Sequence, residues 1–198
     1  MPPRDTDLLR IIDTNFADAA RRAGEHLACR IGCTQCCHGA FAINALDAHR
    51  LKAGIAALHA ADPATAEAVE QRARAWIAAY SADFPGDADT GLLGTSDEEQ
   101  ASFEDFAIDA PCPALDPATG RCDVYPWRPM TCRLFGPPVR SVDEEGNEGL
   151  GHCELCFTTA TAAQIAAAEM LVPHDLEAEL LAEIADDRET VVAFALVR

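Results

Sequence analysis

The sequence is poor in positive charge. It has one lysine, Lys52, and 15 basic residues in all against 33 acidic ones, which gives a formal net charge of −18. A surface this acidic repels phosphate backbones and anionic lipid headgroups, so we expect neither nucleic acid nor membranes as partners. No apolar run approaches the roughly 20 residues that a membrane-spanning helix needs.

Signals for export and for several common catalytic sites are also missing. The first seven residues, MPPRDTD, carry charges where a signal peptide needs an apolar stretch, which favours a cytoplasmic protein. The sequence contains no GxSxG elbow, phosphate-binding glycine loop, dinucleotide fingerprint or HExxH motif. No catalytic residue can be named, and whether the protein is an enzyme stays open.

Cysteine, in contrast, is abundant and clustered. The nine cysteines form a first cluster, a second cluster and a closing pair: Cys29, Cys33, Cys36 and Cys37; Cys112, Cys122 and Cys132; Cys153 and Cys156. In a reducing cytosol nine free thiols would be open to oxidation, so metal-bound thiolates explain them better than disulfides do. The two-residue interval of Cys33 and Cys36, and that of Cys153 and Cys156, lets both sulfurs reach one metal.

Apolar periodicity predicts a mainly α fold. Helices are predicted from about residue 5 to 28, over about 44–60, 62–81, 97–107, 161–171 and 174–186. Residues 139–150 have the pattern of one short β-hairpin, and residues 191–197 suit either a strand or a short helix. A length of 198 residues favours a single domain, 1–198, with a helical C-terminal extension over about 157–198.

The segment between residues 110 and 138 has a different character because seven prolines forbid a long helix or a central strand. It also carries Cys112, Cys122 and Cys132. A proline-rich loop that keeps one shape needs something other than backbone hydrogen bonding, and metal ligation supplies that. We therefore predict a small helical domain packed around an irregular, cysteine-rich metal-binding centre.

The cysteine pattern resembles a known family. Its elements in this chain are Cys33-x-x-Cys36-Cys37, then Cys112-Pro113-x-Leu115, then Cys122-x-Val124-Tyr125-x-x-Arg128-Pro129-x-x-Cys132-Arg133. Over residues 29 to about 135 the chain is similar to the YkgJ-type cysteine-cluster proteins, which are described as zinc- or iron-chelating. The resemblance implies six core ligands: Cys33, Cys36, Cys37, Cys112, Cys122 and Cys132.

The number of thiols limits the kind of centre. Six exceed the four that one zinc ion or one cubane cluster takes, so either two are unused or more than one metal is held. Cys153 and Cys156 are predicted to complete this site or to build a second one, which gives eight ligands, enough for two four-thiolate sites. Cys29 precedes Cys33 by four positions instead of three and is expected to be a spare core thiol.

Neighbouring side chains add to the predicted centre. His38 and His152 adjoin ligand cysteines and could replace a thiolate or hydrogen-bond a sulfur. Arg128 and Arg133 are expected to donate hydrogen bonds to thiolates and so to offset the negative charge of the site.

Three functions remain open from the sequence. The favoured one is a cytosolic metal-binding protein that holds zinc or an iron–sulfur or iron centre, with the metal as its partner and no identifiable protein partner. The second is an iron–sulfur enzyme in redox or methyl-transfer chemistry, which larger relatives, the flagellin lysine methylases, suggest. The third is a thiol redox sensor whose CxxC pairs cycle between dithiol and disulfide. Cysteine spacing does not separate zinc from iron–sulfur, because both take four thiolates.

Overall fold

The computed structural model of the protein describes residues 2–142 and 146–198. Across these residues the fold is mainly helical, which confirms the predicted class, and the strands are short and antiparallel. The α-helices are α1 (Asp5–Ala23), α2 (Ala45–Ala61), α3 (Pro63–Tyr80), α4 (Asp97–Glu104), α5 (Met130–Leu134), α6 (Ala162–Ala167), α7 (His174–Ile184) and α8 (Val192–Ala195). The strands are β1 (Ala42–Ile43), β2 (Gly86–Asp87), β3 (Leu92–Leu93), β4 (Leu115–Asp116), β5 (Arg121–Cys122), β6 (Val139–Val142), β7 (Glu148–Gly151) and β8 (Thr190–Val191).

The chain divides into two compact units. Unit 1 consists of Thr34–Met130 and Ile184–Arg198, and unit 2 consists of Pro2–Cys33 and Thr131–Glu183. Each unit therefore combines segments that are distant in sequence. The grouping of residues 1–198 into one domain stays a prediction.

Capping residues precede the two long helices of unit 1. Asn44 precedes α2 and accepts a hydrogen bond from the Asp47 N–H, while Asp62 precedes α3 and accepts one from the Thr65 N–H at 3.2 Å. Pro63 occupies the first position of α3, where its missing N–H costs nothing. The two helices bury their apolar faces in a common core, which includes Leu51, Ile55, Val69, Ala73, Val124 and Val192.

The end of the chain supplies the central strand of the sheet in unit 1. This sheet has the order β1-β8-β3-β2, so that Thr190 and Val191 lie between β1 and β3. Helix α8 then continues directly from β8, and the apolar run from Val191 to Leu196 is buried throughout. The ambiguous pattern of residues 191–197 thus contains both a short strand and a short helix.

Side chains of α2 and α3 hold the proline-rich loop of unit 1 in place. The Arg72 guanidinium of α3 donates to the Pro113 carbonyl at 2.8 Å and to the Asp123 carboxylate at 2.6 Å. Gly54 of α2 lies against the Trp127 ring, and a Cβ at this position would come within 2.7 Å of that ring. As predicted, the segment has no long helix; its regular elements are the two-residue strands β4 and β5, a 3-10 turn at Tyr125–Trp127 and the five-residue α5.

A buried ion pair on α2 fixes the end of the same loop. Arg50 is fully buried and donates to Asp47 at 2.6 Å. The Asp47 carboxylate also accepts the Met130 N–H, at 3.0 and 3.1 Å. Because each buried polar group has a partner, the pair can lie in the core, and it ties Met130 to α2.

Unit 2 is built on α1 and on the segment that follows Met130. Helix α1 buries Leu8, Ile12, Ala19 and Ala23 on one face. Strand β6 pairs with β7 in the predicted hairpin, whose connecting residues 143–145 lie outside the described residues. In the parts of the chain that the structure describes, no helix has both the length and the apolar character needed to cross a membrane.

Candidate metal centre

Four cysteines of unit 1 lie together, and we call them the first thiol group: Cys36, Cys37, Cys112 and Cys122. Cys36 and Cys37 lie on a single 3-10 turn, and the Cys112 N–H donates to the Cys37 carbonyl at 2.7 Å. His38 pairs with Pro111 in an antiparallel bridge, which aligns the two segments. Cys122 ends β5 and pairs with Leu115, whose N–H donates to the Cys112 carbonyl. Backbone hydrogen bonds therefore bring together cysteines that are up to 86 positions apart in the numbering.

The thiols of the first group differ strongly in acidity. A hydrogen bond from Cys37, the backbone N–H of Cys36 itself and the charges of Arg128 and His38 lower the pKa of Cys36 to about 6, against the opposing effect of burial. Burial raises the pKa of Cys112 to about 12, and the nearby Cys122 and Cys36 add to this effect. Burial also raises the pKa of Cys122. One thiol in this group is thus an anion at neutral pH, and two neighbours stay protonated.

Four cysteines of unit 2 form what we call the second thiol group: Cys29, Cys33, Cys153 and Cys156. The Cys153-x-x-Cys156 segment folds into a tight turn in which the Cys156 N–H donates to the Cys153 carbonyl at 2.8 Å. Phe157 follows with a left-handed backbone and donates its N–H to the His26 carbonyl. The Ala28 N–H donates to the Cys156 Sγ at 3.3 Å, which holds this turn against the end of α1 and its following residues.

Cys29, which the sequence pattern sets aside as spare, lies inside this second group. Burial raises the pKa of the Cys29 thiol to about 12, with further contributions from Cys156, to which it is hydrogen-bonded, and from Cys33 and Cys153. The residue is exposed as a whole, but its Sγ lies close to Gly136, where an added Cβ would be only 2.7 Å from the sulfur. Burial and Cys156 also raise the pKa of Cys153. The only sequence signal for this role was the proximity of Cys29 to Cys33.

Cys132 is the remaining predicted ligand. It lies on α5, half-buried and in unit 2, and it is not among the leading influences on the pKa of Cys29 or Cys153. Its neighbour Arg133 is almost fully buried and donates to both carboxylate oxygens of Asp13, at 2.6 and 2.8 Å. Asp13 thus pairs with the Arg133 guanidinium. The positive charge of Arg128, in contrast, helps to lower the pKa of Cys36.

The two histidines next to cysteines both hydrogen-bond backbone carbonyls. His38 Nδ1 lies 3.0 Å from the Thr34 carbonyl oxygen, and His152 Nδ1 lies 3.1 Å from that of Cys153. The His152 ring also packs on Phe157, with 5.2 Å between ring centroids. Each histidine therefore has one ring nitrogen engaged by the backbone.

Within residues 2–142 and 146–198, no group of three or more His, Cys, Asp or Glu side chains is arranged so that it could hold a metal ion. The thiols of each group are neighbours, but their sulfurs are not directed at one common point. The donor chemistry nevertheless suits zinc and iron, because each group offers four thiols and four thiolates are the usual ligand set of structural zinc and of iron–sulfur clusters.

Comparison with known proteins places the chain in a family. No curated protein and no solved structure matches the sequence significantly. A family model described as "CxxCxxCC: Putative zinc- or iron-chelating domain" matches residues 28–156. This range begins just before Cys29 and ends at Cys156, so it contains all nine cysteines. The chain therefore belongs to the CxxCxxCC family of zinc- or iron-chelating domains.

Proposed function

We propose that this protein is a cytosolic metal-binding protein with two metal centres, one at each thiol group. The observation that supports this most strongly is the presence of one set of four neighbouring cysteines in each compact unit. Unit 2 also contains a fifth cysteine, Cys132, which stays a predicted ligand. Four thiolates complete the coordination of a zinc ion or of an iron–sulfur cluster. The family description, chelation of zinc or iron, agrees with this proposal.

Thiols with raised pKa values, such as those of Cys29 and Cys112, would lose their protons on binding a metal cation. Burial, with a smaller contribution from neighbouring thiols, raises the pKa of Cys29 and of Cys112 to about 12, so both keep their protons at neutral pH. A bound divalent metal supplies the missing positive charge, so the protons leave and the thiolates are stabilised. Arg128 would offset part of the remaining negative charge at the first group.

The two groups differ in the metal that they favour. The first group contains the adjacent Cys36 and Cys37, which are awkward ligands for a single zinc ion and more suitable for neighbouring irons. The second group combines the Cys153-x-x-Cys156 turn with Cys29 and Cys33, an arrangement of two pairs that is typical of tetrahedral zinc. We therefore propose iron for the first group and zinc or iron for the second.

Anaerobic purification followed by metal analysis and a visible spectrum tests the proposal. We expect about two metal centres per chain, about one fewer in each of Cys112→Ser and Cys153→Ser, and none fewer in the control Ser102→Ala, which changes an exposed residue of α4. Iron with sulfide and broad absorption near ~400 nm would identify an iron–sulfur cluster. A folded, metal-free chain that a chelator leaves unchanged would refute metal binding, and an equal loss in Ser102→Ala would refute the assigned ligands.

Thiol redox sensing is a second candidate, favoured by the acidity of Cys36. A thiolate at neutral pH beside protonated thiols is the arrangement in which peroxide oxidises one sulfur and a neighbour then closes a disulfide, with water as the other product. This candidate requires a metal-free chain whose Cys36 forms a reversible disulfide with a neighbouring cysteine. Mass spectrometry after mild peroxide treatment, with and without dithiothreitol, distinguishes it from metal binding.

A further inference from the structure

A cavity of about 220 Å³ in unit 1 lies apart from the residues of both thiol groups. One wall is a single face of α2, with Ala45, His49 and Lys52 at helical spacing. The opposite wall includes Arg188 and Arg198 from the end of the chain. This volume is below the roughly 300–1,000 Å³ of pockets for drug-sized ligands, so a small molecule is the fitting occupant.

The cavity concentrates positive charge in a protein that has little of it. Its lining includes the only lysine, Lys52, and two arginines, with Asp186 as the acidic residue of the lining; outside the lining, Asp187 acts on Arg188 and Asp87 lies near Arg198. Asp186 forms an ion pair with Arg188 at 2.8 Å, and the Arg198 guanidinium donates to the Ala88 carbonyl at 3.0 Å. Each guanidinium keeps further N–H donors beyond these bonds.

Lys52 has no fixed partner. It is exposed, and it makes no hydrogen bond or ion pair with the residues that the structure describes. Lys52 does not pair with Asp186, the acidic residue of the cavity lining, which binds Arg188 instead. Its ammonium group can therefore bind an external anion without first breaking an internal contact.

The deeper lining of the cavity is apolar. Phe194 and Ala195 of α8 and Ala45 of α2 are buried, and Leu92 of β3 is partly buried beside them. The Arg198 guanidinium lies over the Phe194 ring, 4.6 Å from its centroid. A ligand here would meet apolar side chains at one end and cationic groups at the other.

We propose that this cavity binds a small organic carboxylate with an apolar end. The carboxylate would bind Lys52 and the two arginines, and the apolar end would pack on Leu92 and Ala48, the partly buried apolar residues of the lining. Arginine and lysine together supply the charged donors that a carboxylate accepts. The apolar lining distinguishes such a ligand from a fully hydrated inorganic anion, which would gain nothing from these contacts.

Titration of the full chain with benzoate, followed by calorimetry and by amide NMR shifts at Thr90 and Thr190, tests this proposal. Benzyl alcohol is the neutral comparison, and inorganic phosphate is the comparison without an apolar end. Lys52→Gln and Lys52→Glu change the charge of the cavity. Arg10→Gln, which removes an exposed cation of α1 in unit 2, is the matched control.

We expect saturable 1:1 benzoate binding that is weakened about three- to fivefold by Lys52→Gln, more by Lys52→Glu, and not by Arg10→Gln. Added salt should weaken binding as well. Equal binding of benzyl alcohol would refute the role of charge, and equal binding of phosphate would refute the role of the apolar lining. Absence of saturable binding, or an unchanged Lys52→Gln affinity, would overturn the proposal.

Discussion

The thiols of this protein differ in their readiness to lose a proton, because each has different neighbours. Cys36 accepts a hydrogen bond and lies near the positive charges of Arg128 and His38, whereas the Cys112 thiol is buried in low-dielectric protein and the partly buried Cys29 thiol lies beside other sulfurs. Cysteines that look equivalent in the sequence motif are therefore chemically unequal in the folded chain.

Alkylation of the metal-free protein should show this inequality. At pH 7 a thiol of pKa about 6 is mostly thiolate and one of pKa about 12 is almost entirely protonated, so iodoacetamide should modify Cys36 first and Cys112 much more slowly. Peptide mass spectrometry after short exposure measures both rates. Replacement of Arg128 by Gln should slow the reaction of Cys36, and a faster reaction of Cys112 than of Cys36 would contradict the assignment.

The buried Asp47 carboxylate should contribute strongly to stability. Asp47→Ala removes the partner of a fully buried arginine and the acceptor of the Met130 N–H, so we expect a loss of about 3–5 kcal/mol in the free energy of unfolding. Urea denaturation followed by circular dichroism measures it. Glu67→Ala, which removes an exposed carboxylate from α3, should change the value by less than about 0.5 kcal/mol. A similar small effect for Asp47→Ala would show that Arg50 finds another partner.

At the scale of secondary-structure elements, the cysteine loops are positioned by contacts with regular elements. Helix α3 reaches the loop of the first thiol group through Arg72, which binds the residues that directly follow Cys112 and Cys122. In unit 2, Gly136 allows the loop after α5 to approach Cys29 closely. The helices and turns thus determine where the thiols meet.

Arg72 should act as a positioning residue for the first thiol group. Arg72→Gln shortens the side chain and removes its charge, so Pro113 and Asp123 lose their tie to α3. We expect metal to leave the first group at least several times faster in the presence of a chelator, with no change at the second group. Arg74→Gln is the matched control, because Arg74 lies on the same helix and forms an ion pair at 2.7 Å with Glu70 of that helix. Equal release rates for the two variants would refute the role of Arg72.

Gly136 should be irreplaceable even by alanine. Its φ of +118° is strained for any L residue, and an added Cβ would overlap the Cys29 sulfur. Gly136→Ala should lower the free energy of unfolding by about 1–3 kcal/mol and lower metal content at the second group. Gly149→Ala serves as the control, because a Cβ there meets no atom within 4 Å. An equal fall in metal content in Gly136→Ala and Gly149→Ala would contradict a specific role for the close contact between Gly136 and Cys29.

At the scale of the whole molecule, thiol ionisation links stability to pH. In the metal-free chain the folded state lowers the pKa of Cys36 from 9.0 to about 6 and raises that of Cys29 and Cys112 from 9.0 to about 12. A lowered pKa contributes stability above pH 9 that is lost as the pH falls to 6. A raised pKa contributes stability below pH 9 that is lost as the pH rises to 12.

The metal-free protein should therefore be most stable near pH 8–9. Its melting temperature, measured with reductant and chelator present, should fall toward pH 6 because of Cys36 and toward pH 11 because of Cys29 and Cys112. Cys36→Ser should reduce the fall in melting temperature toward pH 6 and leave the fall toward pH 11 unchanged. An unchanged fall in melting temperature toward pH 11 in a Cys29→Ser, Cys112→Ser double variant would contradict this explanation.

Much of the secondary structure was predictable because its causes are local. The capping residues Asn44, Asp62 and Ser96 each precede a helix that begins where the sequence indicates. The expected hairpin over residues 139–150 is present as β6 paired with β7; residues 143–145 lie outside the described residues. The helix predicted over 161–171 is shorter and ends at Ala167. The central position of β8 was not predictable, because strand order depends on contacts between distant residues.

The sequence by itself determined the family and the type of chemistry, since thiol donors at two-residue intervals depend only on residue identity and local spacing. It did not determine which cysteines meet. Cys29 and Cys156 become neighbours through the Ala28 and Phe157 backbone hydrogen bonds, across more than 120 residues of chain. Only the tertiary structure decides such a pairing, because the distance between two side chains far apart in sequence follows from the packing of everything between them.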